Sequence, residues 1–468
     1  MRLTTLWRLA TSTLLALTIA AGPAAMARPA HAAELTVTRT DDTLTCTPGD
    51  CSLRGAIIEA NKSGGPDVIM LPAGTYTLTR PGADGGTAAD NNAMKGDLDI
   101  VNGSSVTIVG AGPDLTIIDG NGDATGDRVF DIGPGGRLEV GGATIKGGRA
   151  GVGFQSHAHG AGIHNHGGLV LQNVVISDNR VTVDNWGGGG ITNADAPQKA
   201  SASLTNVTIR DNESLTNNGA GGGIENKSLL MLDNSTLANN RARNGGGLDN
   251  RGPDARAGLT NVTISDNRAV FNGTATNGFG GGIANANQAT LALSHVTLAD
   301  NVGDTKGGNL AAMTNGTSVT PRNTIFAGGS PSDCLIENTS GYTSGGHNVA
   351  TDANCNLSGA GDRPGGSVQL GPLQDNGGKT PTRALLKGDR EHPNDAIDAC
   401  DPGATTETDQ RGDTRPRDGN GDGDKICDMG AFEFNRKGGD NQNANDNHHN
   451  DNDDNDDNDD NDNHHDDD

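Results

Sequence analysis

Between residues 160 and 301 two short phrases alternate along the chain, and each carries its apolar residues at fixed places. The first reads GAGIHN (160–165), GGGITN (188–193), GGGIEN (221–226), GGGLDN (245–250) and GGGIAN (280–285). The second reads LQNVVISDN (171–179), LTNVTIRDN (204–212), LDNSTLANN (232–240), LTNVTISDN (259–267) and LSHVTLADN (293–301). The period is about 24 to 35 residues, and no stretch within it is apolar at helical spacing, which excludes the helical repeat families. Each unit instead carries three short strand signals, at Ile191, at Leu204, and at Val207 with Ile209, separated by Gly or Asn. Three strands per repeat predict an all-β chain, a right-handed parallel β-helix whose turns stack at the sheet spacing of about 4.8 Å.

Equivalent residues of such a solenoid form columns along its axis. Ile163, Ile191, Ile224, Leu248 and Ile283 are expected to make one buried column, and Ile176, Ile209, Leu237, Ile264 and Leu298 another. Each buried aliphatic side chain contributes about 1.5–3 kcal/mol. The asparagines predict amide ladders at the bends, where an inward side chain bonds the turns above and below. One ladder is expected through Asn165, Asn193, Asn226, Asn250 and Asn285, and a second through Asn173, Asn206, Asn234 and Asn261, interrupted by His295. The glycines before each Ile fit close approach between turns, and a phosphate-binding loop is excluded because no Lys-Ser/Thr and no helix follows them.

Looser strand phrases, DVIMLPAGTYTL, SVTIVGAG, DLTIIDGNG and RLEVGGATIKGG, extend the solenoid back to residue 67. The expected total is about nine or ten turns, a rod on the order of 45 Å long. Residues 1–33 read as a signal peptide, with Arg2 and Arg8, an apolar run from Leu14 to Ala21 and the small-residue site Ala30-His31-Ala32. That run is too short to span a bilayer, so the expectation is an exported protein without a transmembrane segment. The six cysteines lie outside the repeats as neighbours, Cys46 with Cys51, Cys334 with Cys355, and Cys400 with Cys427. Fifteen pairings are open to them, sequential pairing would staple both ends of the rod, and zinc spacing is absent.

In the segment 34–66, CSLRGAIIEAN (51–61) predicts a helix with Ser52 as N-cap, placed to lid the open end of the solenoid. These residues resemble the N-terminal segment of bacterial exported proteins with a CSLREA motif. Gly55 stands where that family carries the Glu of a capping box, a departure expected to weaken the helix by about 1 kcal/mol. After Ile325-Phe326 the repeat stops, and residues 327–436 contain DNGGKTPTRALL (375–386), DAIDACD (395–401), DQRG (409–412) and CDMGAFEF (427–434). These phrases resemble the choice-of-anchor Q domain that accompanies such β-helices. The repeats are also similar to those of polymorphic outer-membrane proteins, although no terminal β-barrel follows. Together the resemblances imply a secreted or cell-surface β-helix protein whose family name describes architecture and export. The last stretch, 437–468, is almost wholly Asp, Asn and His, and reads as a disordered tail able to hold divalent cations loosely at His448, His449, His464 and His465.

With a formal net charge of −25, the chain is a poor partner for nucleic acid or an anionic membrane. The polygalacturonase-type phrases NTD, GHG and RIK, and the motifs GxSxG and HExxH, are all absent, and Trp186 is the sole tryptophan after the leader. In the VTI strand the outward column is Val175, Thr208, Thr236, Thr263 and Thr297, which reads as an inert β surface. In the GGGI strand it is His164, Thr192, Glu225, Asp249 and Ala284, flanked by His166, Lys227 and Arg251. Glu225, Asp249 and His164 are therefore the candidate catalytic residues. The competing expectation is that Glu225 and Asp249 stay ionised in cross-turn ion pairs with Lys227 and Arg251. His157, His159, His164 and His166 read as a solvated edge or a transition-metal site. Asp418, Asn420, Asp422 and Asp424 alternate with glycine as in a calcium loop, with Asp428 as an added ligand, although Met429 replaces the final Glu of an EF-hand. Taken together, these residues predict a binding, adhesion or structural protein without a catalytic centre, whose partners are glycans or surface proteins. The alternative is an extracellular polysaccharide lyase or glycoside hydrolase.

Overall fold

The computed structural model describes residues 33–82, 92–101, 103–151, 159–182, 187–194, 199–216, 219–270, 278–305, 307–314, 316–337, 339–389 and 391–435. The leader and the acidic tail lie outside the described residues. The chain is an all-β parallel solenoid of about eight turns, slightly fewer than the nine or ten expected. Its strands form a long sixteen-stranded sheet, a nine-stranded sheet and a six-stranded sheet, one on each side of the coil.

Register follows the repeat. Ile163, Ile191, Ile224, Leu248 and Ile283 are successive Cα partners in the nine-stranded sheet. Ile176, Ile209, Leu237, Ile264 and Leu298 are partners in the long sheet. Both columns are buried in the main core. The glycine runs permit a tight bend and let neighbouring turns touch: Gly221 has φ +63°, and a Cβ there would lie 2.2 Å from the carbonyl oxygen of Ile224 in its own turn. A Cβ on Gly223 would lie 2.6 Å from the Gly247 carbonyl oxygen.

The first amide ladder forms as expected. Asn165 Nδ2 donates to Asn193 Oδ1 at 2.8 Å, Asn193 to Asn226 at 2.8 Å, Asn226 to Asn250 at 2.7 Å and Asn250 to Asn285 at 2.7 Å. Of the expected second ladder one rung forms, Asn261 Nδ2 donating to Asn234 Oδ1 at 3.2 Å, and the continuous ladder runs through different residues. Asn173, Asn206, Asn234, Asn261 and His295 sit at corners with φ between 50° and 56°, a left-handed conformation that Asn tolerates better than most residues. The buried ladder instead links the asparagines that end each phrase, Asn179, Asn212, Asn240, Asn267 and Asn301, at 2.9–3.0 Å. It continues to Asn309 and ends on Asp333 Oδ1, both at 2.8 Å.

A helix over Leu53–Ser63 caps the N-terminal end, with the Ser52 hydroxyl accepting from Gly55 N at 3.0 Å. Gly55 is required by packing, since a Cβ there would lie 2.1 Å from the Thr45 carbonyl oxygen. The glycine that weakens the helix therefore lets it sit against residues 45–46. Arg54 is wholly buried, paired with Asp42, and donates to the carbonyl oxygens of Ala93, Gly96 and Asp97 at 2.7–2.9 Å. All three sequential disulfides are formed.

The repeat phrase ends at Ile325-Phe326, yet parallel pairing runs on through Cys334–Ile336 and Val349–Ala350 to Arg363–Pro364. Residues from 366 onward then fold back over the threonine face. Thr236, Thr263 and Thr297 are at most 1 % exposed, so this column is an internal contact and not a free surface. Thr236 Oγ1 donates to the Pro381 carbonyl oxygen at 2.6 Å and Thr263 Oγ1 to Gln410 Oε1 at 2.7 Å, while Ala431 N donates to Thr297 Oγ1 at 2.9 Å. An apolar cluster including Ile325, Val349, Leu385, Met429, Phe432 and Phe434 seals the contact.

Candidate binding face

On the nine-stranded sheet the repeat strands turn their first and third residues inward, as Ile or Leu and Asn, which puts the middle residue on the other side, where His164, Thr192, Glu225 and Asp249 are nevertheless at most 6 % exposed. In register these middle residues are Asp99, Asp131, His164, Thr192, Glu225, Asp249, Ala284 and Ala311. The column continues to Leu335, so it is polar in its first six turns and apolar after Asp249. Asp99 and Asp131 escape the repeat pattern because their phrases, Leu98-Asp99-Ile100 and Phe130-Asp131-Ile132, lack both the glycine run and the terminal Asn. Two apolar-Asp-Ile triplets are the only signal the sequence offers for them.

At the N-terminal end the carboxylates of Asp97, Asp99 and Asp131 bring oxygens within 4.8 Å of one another. Arg128 lies among them, 3.2 Å from Asp131 and 3.5 Å from Asp97. Burial, reinforced by Asp127 and Asp99, pushes Asp97 well above the usual carboxylate range. Burial also opposes the charge on Asp131, but Arg128 together with His164 and His166 outweighs it and holds that carboxyl low.

His164 is buried, not at a solvated edge. Burial brings its imidazole down to about 3 even though Asp131 pulls the other way. Arg128 Nη1 lies 2.6 Å from His164 Nδ1, and because a guanidinium only donates, Nδ1 accepts and the ring proton sits on Nε2. The 3.6 Å from Nδ1 to Asp131 is too long for a hydrogen bond. His159 stacks on His164 with ring centroids 5.6 Å apart, and His166 meets it edge-on at 4.2 Å. His157 lies outside the described residues.

Glu225 and Asp249 are adjacent in the column, as expected, but their cations come from their own strands. Lys227 Nζ lies 2.9 Å from Glu225 Oε1, and Arg251 Nε lies 2.6 Å from Asp249 Oδ2, both two residues along the chain instead of across turns. An alternating strand puts residues i and i+2 on one side, so this pairing costs little side-chain reach. Thr192 Oγ1 adds a cross-turn bond to Glu225 Oε2 at 3.2 Å. Burial disfavours the Glu225 anion, yet Lys227 and His159 together more than offset it, and its carboxyl is held below the usual range. Burial pushes Asp249 up, and Arg251 recovers only part of that shift. The two carboxyls are thus driven apart, which is the arrangement from which one fold can draw an acid and a base.

The loop at 418–424 is exposed, and its oxygens accept from its own backbone. Asp418 accepts from Gly421 N and Gly423 N, Asn420 from Asp422 N, and Asp422 from Asp424 N, at 2.6–3.1 Å. Asp428 is buried and accepts from Asp398 N and Phe434 N, so it braces the C-terminal region instead of facing the loop.

No family model matches the sequence, and no curated protein does. Among solved structures the chain is similar to the pectate lyase Pel9A, at 13 % identity and a TM-score of 0.46, covering 86 % of this chain and 98 % of that one. It is also similar to the A-module of the mannuronan C-5 epimerase AlgE6 of Azotobacter vinelandii, at 13 % identity and a TM-score of 0.30, covering 67 % and 92 %. The catalytic domain of a GH87 α-1,3-glucanase matches at 12 % identity and a TM-score of 0.23, covering 68 % and 69 %. Scores this low assign no activity to the present chain.

Proposed function

We propose that the protein is a secreted or cell-surface β-helix that binds glycans along the outer side of its nine-stranded sheet, in an adhesive or structural role. The observation that carries this reading is the division between two sides of the rod. The threonine side is occupied by the chain's own C-terminal region, whereas the charged column ends in an open hollow beside Arg251. Three disulfides, and the lack of any helix among the described residues long and apolar enough to cross a membrane, are compatible with an extracellular location. A glycan array probed with the mature chain, run beside a sugar-degradation assay, tests the reading. Binding without cleavage supports it, and absence of binding to every glycan overturns it.

A second reading, a polysaccharide lyase or hydrolase, is favoured by the opposed shifts of Glu225 and Asp249. Its test is cleavage of a polysaccharide panel by wild type, Glu225→Gln and Asp249→Asn. Activity lost in either variant while the fold is retained would replace the binding reading with this one.

A further inference from the structure

The hollow at the end of the charged column has a cause in the repeat itself. Arg251 follows Lys227 in the flanking column, and the next turn places Ala286 beside Arg251. Likewise Asp249 is followed by Ala284. The abrupt loss of side-chain volume leaves a cavity of about 490 Å³ whose lining includes Arg243, Asn244, Arg251, Phe279, Asn287 and Glu337. That volume lies within the roughly 300–1,000 Å³ of ordinary small-molecule sites.

Two of its walls are held in place from behind. Asp249, wholly buried, takes the Nε and Nη2 edge of Arg251 at 2.6 and 2.9 Å. A guanidinium has five N–H donors in a fixed fork, so the remaining edge of Arg251, whose side chain is 28 % exposed, is offered in a set orientation. Phe279 occupies the position just before the glycine run, where the earlier turns carry His159, Gly187, Ala220 and Asn244. Its carbonyl oxygen accepts from Gly245 N at 3.0 Å, which fixes its backbone to the turn below. The Phe279 ring is half-buried and stands outside the apolar core clusters. A flat apolar ring suits the C–H face of a sugar.

We propose that this hollow is a saccharide subsite for a carboxylate-bearing sugar unit, with the sugar ring against Phe279 and its carboxylate on the outer edge of Arg251. The planar fork matches a carboxylate in two parallel hydrogen bonds. Asn244 and Asn287 supply amide groups for hydroxyls, and Glu337, at the exposed rim, turns a second carboxylate away from that side. This assignment rests on the glycan-binding reading and narrows it to one sugar class and one place.

The experiment is calorimetric titration of the full mature chain with an oligoglucuronate and with its carboxyl-reduced, neutral counterpart. The acidic oligomer is expected to bind at least about tenfold more tightly, with the preference shrinking as salt is raised. Arg251→Gln should abolish the preference. Because that change leaves Asp249 without its cation, Ala286→Leu serves as an independent variant: it fills the hollow without altering charge and should abolish binding of both oligomers. Equal affinity for the two oligomers, or undiminished binding by Ala286→Leu, would overturn the subsite. If neither oligomer binds while another glycan on the array does, the subsite falls and the broader function stands. If no glycan binds at all, both fall.

Discussion

The threonine side and the charged side of the rod are built on the same repeat and have opposite fates. Thr208, Thr236, Thr263 and Thr297 present one neutral hydroxyl per turn, each a donor and an acceptor, on an even β-branched surface. Such a surface can be satisfied by any segment that brings carbonyls and amides, and residues 366–435 do so. Among the described residues, the hydrogen bonds from that segment to the solenoid fall on the threonine strands and the turns beside them. In the charged column His164, Thr192, Glu225 and Asp249 are likewise at most 6 % exposed, and Glu225 and Asp249 take their cations from Lys227 and Arg251, two residues along the chain. The neutral hydroxyls are thus joined to the C-terminal region, whereas Glu225 and Asp249 are paired with cations beside them in the chain.

The largest test of this contrast is at the centre of the seam. Gln410 donates to Thr236 Oγ1 and Thr380 Oγ1, each at 2.8 Å, and accepts from Thr263. Gln410→Ala strands these buried groups and should cost about 3 kcal/mol in chemical denaturation. A double-mutant cycle with Thr263→Val should show coupling, and a cost near zero would mean the seam contributes nothing to holding the C-terminal region.

Next come the two carboxyls of the charged column. Because Glu225 is held low and Asp249 is raised, Glu225→Gln should cost about 2 kcal/mol, whereas Asp249→Asn should cost less than about 1 kcal/mol. Equal losses for the two would remove the electrostatic asymmetry on which the enzyme reading depends.

A pH series gives a shallower effect. His164 titrates near 3 in the folded chain and near its ordinary value of about 6.5 when unfolded. As pH falls through that window, only the unfolded chain takes up this proton, so stability declines by at most about 1.4 kcal/mol per pH unit. Asp97 and Asp127, raised by burial, act in the opposite sense, so the measurement is the difference in urea midpoints between wild type and His164→Asn from pH 7 to 4. Identical pH dependence in the two proteins would place His164 in water.

The smallest effect belongs to the long sheet, where Met231 is 41 % exposed. Met231→Thr should change the melting temperature little, corresponding to within about 0.5 kcal/mol. A larger loss would mean that this part of the long sheet is covered as its threonine strands are.

The core columns and the first ladder were legible because one residue type recurs at one place in every repeat. The second ladder was misassigned because each phrase, such as LQNVVISDN, carries two asparagines at the same period. Only the backbone angle tells the left-handed corner at Asn173 from the inward amide at Asn179. The cover over Thr263 was illegible for another reason: Gln410 is non-repetitive and lies 147 residues away in sequence. At the charged face, periodicity brought Glu225 and Asp249 together correctly. It could not show that their cations come from two residues along the chain, since a one-dimensional pattern treats both neighbours alike.

The two amide ladders also give the rod an electrical direction. In each, the amide of the earlier turn donates to the oxygen of the later one, without reversal, from Asn165 to Asn285 and from Asn179 to Asn309. The side-chain dipoles therefore add head to tail, with their positive end toward the C-terminus, where the carboxylate of Asp333 receives the last N–H of the second ladder and the carbonyl oxygens of Ala289 and Ser318 that of the first. The solenoid's two ends are thus chemically unlike, as the poles of a helix are. A turn added or lost within the ladder would conserve that polarity, while loss of Asp333 would leave one pole without its counter-charge.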